Sequence, residues 1–137
     1  MLSSTTISLS EAKIIAGAAA AKAAEHAWPV VIAVLDQGGH LLYLERADDV
    51  QLGSIAVAQE KARTALLFRR PTKALQDLVN GGRVNMLMLP GATPIDGGLP
   101  LIKDGRIVGS IGVSGVQSHE DAEVAAAGVA AVESLAR

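Results

Sequence analysis

The residues of this chain that do chemistry by themselves are few and scattered. It holds three histidines, His26, His40 and His119, and no cysteine. No two of these imidazoles stand at a spacing that metal-ligand motifs use. His26 falls near the end of a helix, where a protonated ring suits the dipole. His40 follows a glycine turn, and His119 lies in the first turn of a last helix. Taken singly, each reads as a surface or structural residue. The missing cysteine removes any disulfide framework, thiolate metal site or cysteine nucleophile. Ser114 has a Gly-Val-Ser-Gly setting, but it lacks the G-x-S-x-G elbow and strand-to-helix turn that make such a serine reactive. No nucleophile, base and acid come together, so catalytic residues and metal ligands stay unassigned.

Two cations offer more. Lys61 falls on a helical strip with Val57, Thr64 and Phe68, away from Glu60 and Arg63. Pointed into a pocket, its ammonium pairs with a carboxylate; otherwise it snorkels to water. Arg46 can grip a carboxylate bidentately, or it can pair with Asp48 or Asp49. His40 and Arg46 share one face of a strand but stand roughly 20 Å apart at ~3.3 Å per residue, too far for one small ligand. Glu120 and Glu123 suit a helix N-terminus better than a metal, and Met86, Met88 and Tyr43 read as packing residues. The glycines at 109, 112 and 115 lie within a strand, which does not support a dinucleotide site.

The elements that must position these groups are organised around Gly97 to Gly115. Asp104-Gly105 between two apolar runs predicts a two-residue type I′ turn. That turn pairs Lys103 with Arg106, Ile102 with Ile107, Leu101 with Val108 and Pro100 with Gly109. Pro100 cannot donate to the ladder, so this end should be an edge, a bulge or a departure from the sheet. Gly97-Gly98 and Gly112 to Gly115 should leave main chain bare for a close approach. A pocket is expected there, lined by Gly97, Gly98, Pro100 and Ser114, with Lys61 and Arg46 as ligand-binding candidates.

Elsewhere, Ser8 or Ser10 caps a helix that runs to about Ala27, before Pro29. It carries a small-residue face of Ile14, Gly17, Ala18, Ala21 and Glu25 that suits a sheet or another subunit. The unbroken apolar run Val30 to Leu35 reads as a strand covered on both faces. His40 to Arg46 returns as a second strand after Asp36-Gln37-Gly38-Gly39. Ser54 opens a helix to Phe68, Pro71 starts a short one to Val79, and Val84 to Leu89 reads as a third strand. Pro90 to Gly98 is a loop, and Ser118-His119-Glu120-Asp121 reads as a capping box for the last helix. Five strands joined largely by hairpins imply an α+β fold with a mostly antiparallel sheet.

Composition fits one domain over residues 1–137. Hydrophobic residues make up 50% of the chain and aromatics only 2%, so small aliphatic side chains must build the core. A net charge of −2 gives no electrostatic case for nucleic acid or an anionic membrane. Lys13, Lys22 and Glu25 break the alanine-rich start, which excludes a membrane span there. With no signal-peptide pattern either, the chain is expected to begin near Met1 and to work in the cytoplasm.

An ordered set of motifs then carries a resemblance. These are Val-Leu-Asp-Gln-Gly-Gly-His (34–40), Leu-Glu-Arg-Ala-Asp (44–48), Ala-Gln-Glu-Lys-Ala-Arg-Thr-Ala (58–65), Arg-Pro-Thr (70–72), Gly-Gly-Leu-Pro-Leu (97–101) and Gly-Ser-Ile-Gly-Val-Ser-Gly (109–115). Together they resemble the GlcG/HbpS family of bacterial heme-binding proteins. The resemblance implies a profilin-like fold, a five-stranded antiparallel sheet with helices on both faces. It also implies a homo-oligomer with heme as cofactor, in heme breakdown or iron handling. Other members of the family come from catabolic gene clusters. Val116 to Glu120 departs from the family pattern, whereas Asp121 matches its acidic position. Three functions are thus expected. The first is binding of heme or a related tetrapyrrole beside the Gly97–Pro100 loop and the Lys61 helix, with His26 and His40 as axial candidates. The second is an enzyme acting on a small carboxylic acid held by Lys61 and Arg46. The third is an assembly module.

Overall fold

The computed structural model describes residues 1–136. Helix α1 spans Leu9–Glu25, strands β1 and β2 span Val31–Asp36 and Leu41–Arg46, and helices α2 and α3 span Ser54–Phe68 and Thr72–Asn80. Strands β3 (Gly98–Lys103) and β4 (Arg106–Ser114) precede helix α4 (Ser118–Ala131). The sheet is four-stranded in the order β2-β1-β4-β3, and every pair is antiparallel. Five strands were expected. The missing one is Val84 to Leu89, which instead forms a 3₁₀ helix over Val84–Met88. Its backbone keeps turning because Gly81, Gly82 and Arg83 donate back into the end of α3, and no sheet edge lies alongside to pair with it. Val84, Leu87 and Met88 are left exposed.

The helices cover both faces of the sheet. On one side α1 and α4 pack on Ile32, Val34, Leu101, Ile111 and Val113. On the other, α2 lies over Val31 and Ala33 through Ala58. The continuous apolar run of β1 follows from this double burial. Gly112 lets α2 come down onto the sheet, since a Cβ there would run into the Ala58 carbonyl. In α1 the buried side is Ala12, Ile15, Ala16, Ala19 and Ala23, so the face with Ile14 and Gly17 points outward.

Local signals explain most boundaries. Ser8 caps α1: its Oγ accepts from Glu11 N at 3.2 Å, and Glu11 Oε1 accepts from Ser8 N at 2.8 Å. Asp104 and Gly105 have φ of 51° and 78°, as a type I′ turn requires. Lys103 faces Arg106 and Ile102 faces Ile107, but an irregularity between Leu101 and Ile102 then shifts the pairing. Leu101 therefore faces Gly109 and Pro100 faces Ser110, one residue from the expected register. Pro100 lies in an edge strand, where its missing N–H leaves no ladder bond unmade. The box at the last helix starts one residue earlier than expected, at Gln117, with Glu120 as its acidic partner. Asp121 is thereby freed for another use.

Candidate functional site

Lys61 is the largest fully buried side chain among the described residues. Its Nζ donates to Val113 O and to Asp121 Oδ2, both at 3.0 Å. The other carboxylate oxygen of Asp121 accepts from Val116 N at 3.1 Å. The pair, with each side chain 2% exposed, ties α2 to the first turn of α4 past the end of β4. Burial pushes the Asp121 carboxyl above the ordinary carboxylate value, while Lys61 and the Val116 N–H pull it back. Asp96 is also buried and raised by desolvation, against the Gly97 N–H and the charges of Lys73 and Lys61.

The glycines beside this pair are occupied from within. Gly97 has φ +127°, and a Cβ on it would lie 2.8 Å from Lys61 Nζ. A Cβ on Gly98 would run into the Lys61 carbonyl and lie 2.8 Å from Thr72 Cγ2. Thr72 Oγ1 also accepts from Gly98 N at 2.9 Å. The bare main chain there thus receives helix α2. Pro100 is buried, and Ser114 Oγ donates to Ser54 Oγ at 3.1 Å, at the start of α2.

Arg46 and Lys61 do not meet. Arg46 is exposed at the end of β2 and makes no ion pair with Asp48 or Asp49 among the described residues. Arg46 lies on the edge strand β2, whereas Lys61 Nζ meets Val113 O on β4, about 10 Å away across two interstrand spacings. Lys61 belongs to the β3 side, under Gly97 and Gly98. His26 is exposed and stacks on Trp28 at 4.1 Å, with Nε2 4.0 Å from Glu123. No cluster of three or more His, Asp or Glu able to hold a metal occurs among the described residues.

An open groove of 640 Å³ lies elsewhere, where α2 ends short of the β3–β4 hairpin. Helix α2 stops at Phe68 because Arg69 turns left-handed, with φ 54°, whereas the hairpin runs on to Asp104-Gly105. Leu66, Leu67, Ile102 and Ile107 form apolar walls, and Arg69 and Arg106 stand among them. Neither guanidinium has a salt-bridge partner among the described residues. The β1–β2 turn closes one end through Gln37 and Gly38. His40 stands beside that end: a Cβ on Gly38 would be 3.1 Å from His40 Nδ1. Its ring is 84% exposed, with Nδ1 3.5 Å from Asp36 Oδ1. Sequence reasoning singled out His40 but missed Arg69 and Arg106. Arg69 reads as a helix-dipole partner and Arg106 as a hairpin residue; only the tertiary fold brings them to one groove.

The comparisons with known proteins agree with one another. The chain is 43% identical over 114 residues to Protein GlcG of Escherichia coli K12, covering 83% of this chain and 85% of that protein. The solved Klebsiella pneumoniae protein ORFY superposes with a TM-score of 0.93 at 27% identity, covering 99% and 97% of the two chains. The solved PduOC:Heme complex superposes with a TM-score of 0.83 at 27% identity, covering 93% and 95%. The family model described as "Haem degrading protein HbpS-like" matches residues 7–130, and the chain belongs to that HbpS-like family.

Proposed function

We propose that this chain binds heme, or a closely related tetrapyrrole, in the groove between α2 and the tip of the β3–β4 hairpin. One coincidence carries the reading: aliphatic walls and two guanidinia without salt-bridge partners among the described residues line a single groove, and the His40 imidazole lies beside Gly38, which lines one end of it. A heme is a flat apolar disc with two propionates and an iron that takes an axial nitrogen. The groove volume of 640 Å³ falls within the ~300–1,000 Å³ of small-molecule and cofactor sites. Leu66, Leu67, Ile102 and Ile107 suit the ring, and Arg69 and Arg106 suit the propionates by charge-assisted hydrogen bonds. His40 is the axial candidate on the turn whose Gln37 and Gly38 line the groove, whereas His26 is engaged with Trp28. When bound, heme supplies one-electron iron chemistry and a coordination position for small molecules. The family description and the heme-bound neighbour support the same ligand class.

The finer role in heme or iron handling, the homo-oligomeric state and the cytoplasmic location are part of this proposal. The absence of cysteine supports a reducing compartment. A small carboxylic acid is the second ligand class to test, because paired arginines suit it as well. Lys61 and Arg46 would not hold it together, given their separation across the sheet.

Hemin titration tests the reading. The expected result is a Soret shift that saturates at a defined stoichiometry. Arg69→Ala or Arg106→Ala should weaken binding about 10–100-fold, as loss of a charge-assisted hydrogen bond does. Featureless, non-saturating uptake, or uptake indifferent to both substitutions, would overturn it.

A further inference from the structure

The β3–β4 hairpin outreaches the helices on both faces of the sheet. On the α2 side this leaves the groove, walled in part by Ile102 and Ile107. Side chains alternate along a strand, and the neighbouring Lys103 and Val108 line a second cavity, of 300 Å³, on the opposite face. Helix α1 starts only at Leu9 and α4 ends at Ala131, so turns alone close this end of the core. The cavity walls are Ile7, Val108, Val132 and Leu135. The first three are buried members of the main core, and Leu135 packs against it. Here the apolar core itself opens outward.

The segments around this opening are fastened. Ile7 N donates to Val108 O at 3.1 Å, which lays the N-terminal arm along β4 just beyond the end of β1. Lys103 Nζ donates to Val132 O and Glu133 O, both at 3.3 Å, and so ties the 3₁₀ turn Val132–Ser134 to the hairpin. An ammonium carries three protons, and these two carbonyls take two of them. Glu11 also lines the cavity. Its Oε1 accepts from Ser8 N and Ser8 Oγ, and neither bond uses Oε2. Asp104, a further lining residue, is already engaged. One cation and one carboxylate, each with an atom to spare, thus share a cavity with an apolar floor.

We propose that this cavity binds a small aliphatic zwitterion, an amino acid with a branched apolar side chain. Its carboxylate takes the remaining proton of Lys103, its ammonium meets Oε2 of Glu11, and its side chain covers the four aliphatic walls. Charge selects against simpler ligands. An aliphatic acid brings its negative charge beside Glu11, and an aliphatic amine brings its positive charge beside Lys103. The volume is less than half that of the groove, at the low end of the ~300–1,000 Å³ of small-molecule sites. Methyl and amide NMR of the full chain, titrated with L-leucine, isocaproate and isoamylamine, tests the assignment. Leucine should shift the methyls of Ile7, Val108, Val132 and Leu135 saturably, with a Kd of about 1 mM or below. Isocaproate and isoamylamine should each bind about 10–100-fold more weakly, as should leucine to Lys103→Met and to Glu11→Gln. Glutamine keeps an oxygen for Ser8 N, so the cap of α1 survives and the weaker binding reports the charge. Should Lys103→Met melt early, Glu11→Gln and the two singly charged ligands carry the test. No saturable shift with leucine, or isocaproate or isoamylamine binding as tightly as leucine, would overturn the proposal. Shifts confined to Leu66, Leu67, Ile102 and Ile107 would put the ligand in the groove and overturn the second site.

Discussion

Replacing Lys61 by methionine probes the buried ion pair between Lys61 and Asp121. Methionine matches the length and flexibility of the lysine stem, so the packing of α2 on Gly97 and Gly98 is retained. What is lost is the ammonium that serves Asp121 Oδ2 and Val113 O. Asp121, with a side chain 2% exposed, would be left as a buried carboxylate with only the Val116 N–H facing it. Breaking one side of such a pair costs about 3–5 kcal/mol, against a total stability of about 5–15 kcal/mol. The penalty should be largest near neutral pH and smaller in acid, where Asp121 escapes it by taking up a proton. Urea unfolding of wild-type protein, Lys61→Met, Asp121→Asn and the double variant gives the full cycle. A coupling energy of about 1–3 kcal/mol is expected for groups in direct contact. A Lys61→Met cost below about 1 kcal/mol, as for an exposed ion pair, with no coupling, would refute the description of this pair as a tie between α2 and α4.

Two further outcomes follow from the same geometry. Gly98→Ala should destabilise by about 1–3 kcal/mol through overpacking against the Lys61 carbonyl. Gly17→Ala, in open space on the outer side of α1, should instead gain about 0.5–1 kcal/mol; thermal melts of the two variants should move in opposite directions. The raised Asp121 carboxyl fixes a pH trend. The native state keeps this proton to higher pH than the unfolded chain, whose ordinary value is 3.8. Its contribution to stability is therefore complete below pH 3.8 and is lost as pH rises through the folded value. The stability deficit of Asp121→Asn should narrow as pH rises through that window, and a widening deficit in urea titrations would mean that the Lys61 charge outweighs burial.

Residues that act on their neighbours were the legible ones. Asp104-Gly105 announced its turn because both positions need positive φ, and Val31 to Leu35 announced a doubly covered strand by having no polar face. Val84 to Leu89 misled because a short apolar run looks the same whether it becomes a strand or a turn of helix. Its environment, the end of α3 and no free ladder, is a tertiary fact. The irregularity after Leu101 was equally silent, and it moved Pro100 from Gly109 to Ser110. Lys61 was correctly set apart from the polar side of α2, but nothing nearby in sequence names a partner 60 residues away. The groove is assembled from three segments, and so Arg69 and Arg106 carried no local mark of belonging together.

The strand order also bears on how the chain reaches this state. Each outer strand is joined to its inner neighbour by a short reversal, β1 with β2 and β3 with β4. The central seam instead joins Ala33 to Gly112, roughly 80 residues apart, so its closure entropy must be met before its contacts reward it. Two quickly formed halves that zip late along that seam make the seam the slow event. Stopped-flow refolding of Gly112→Ala should therefore slow far more than refolding of a variant at the exposed Leu41.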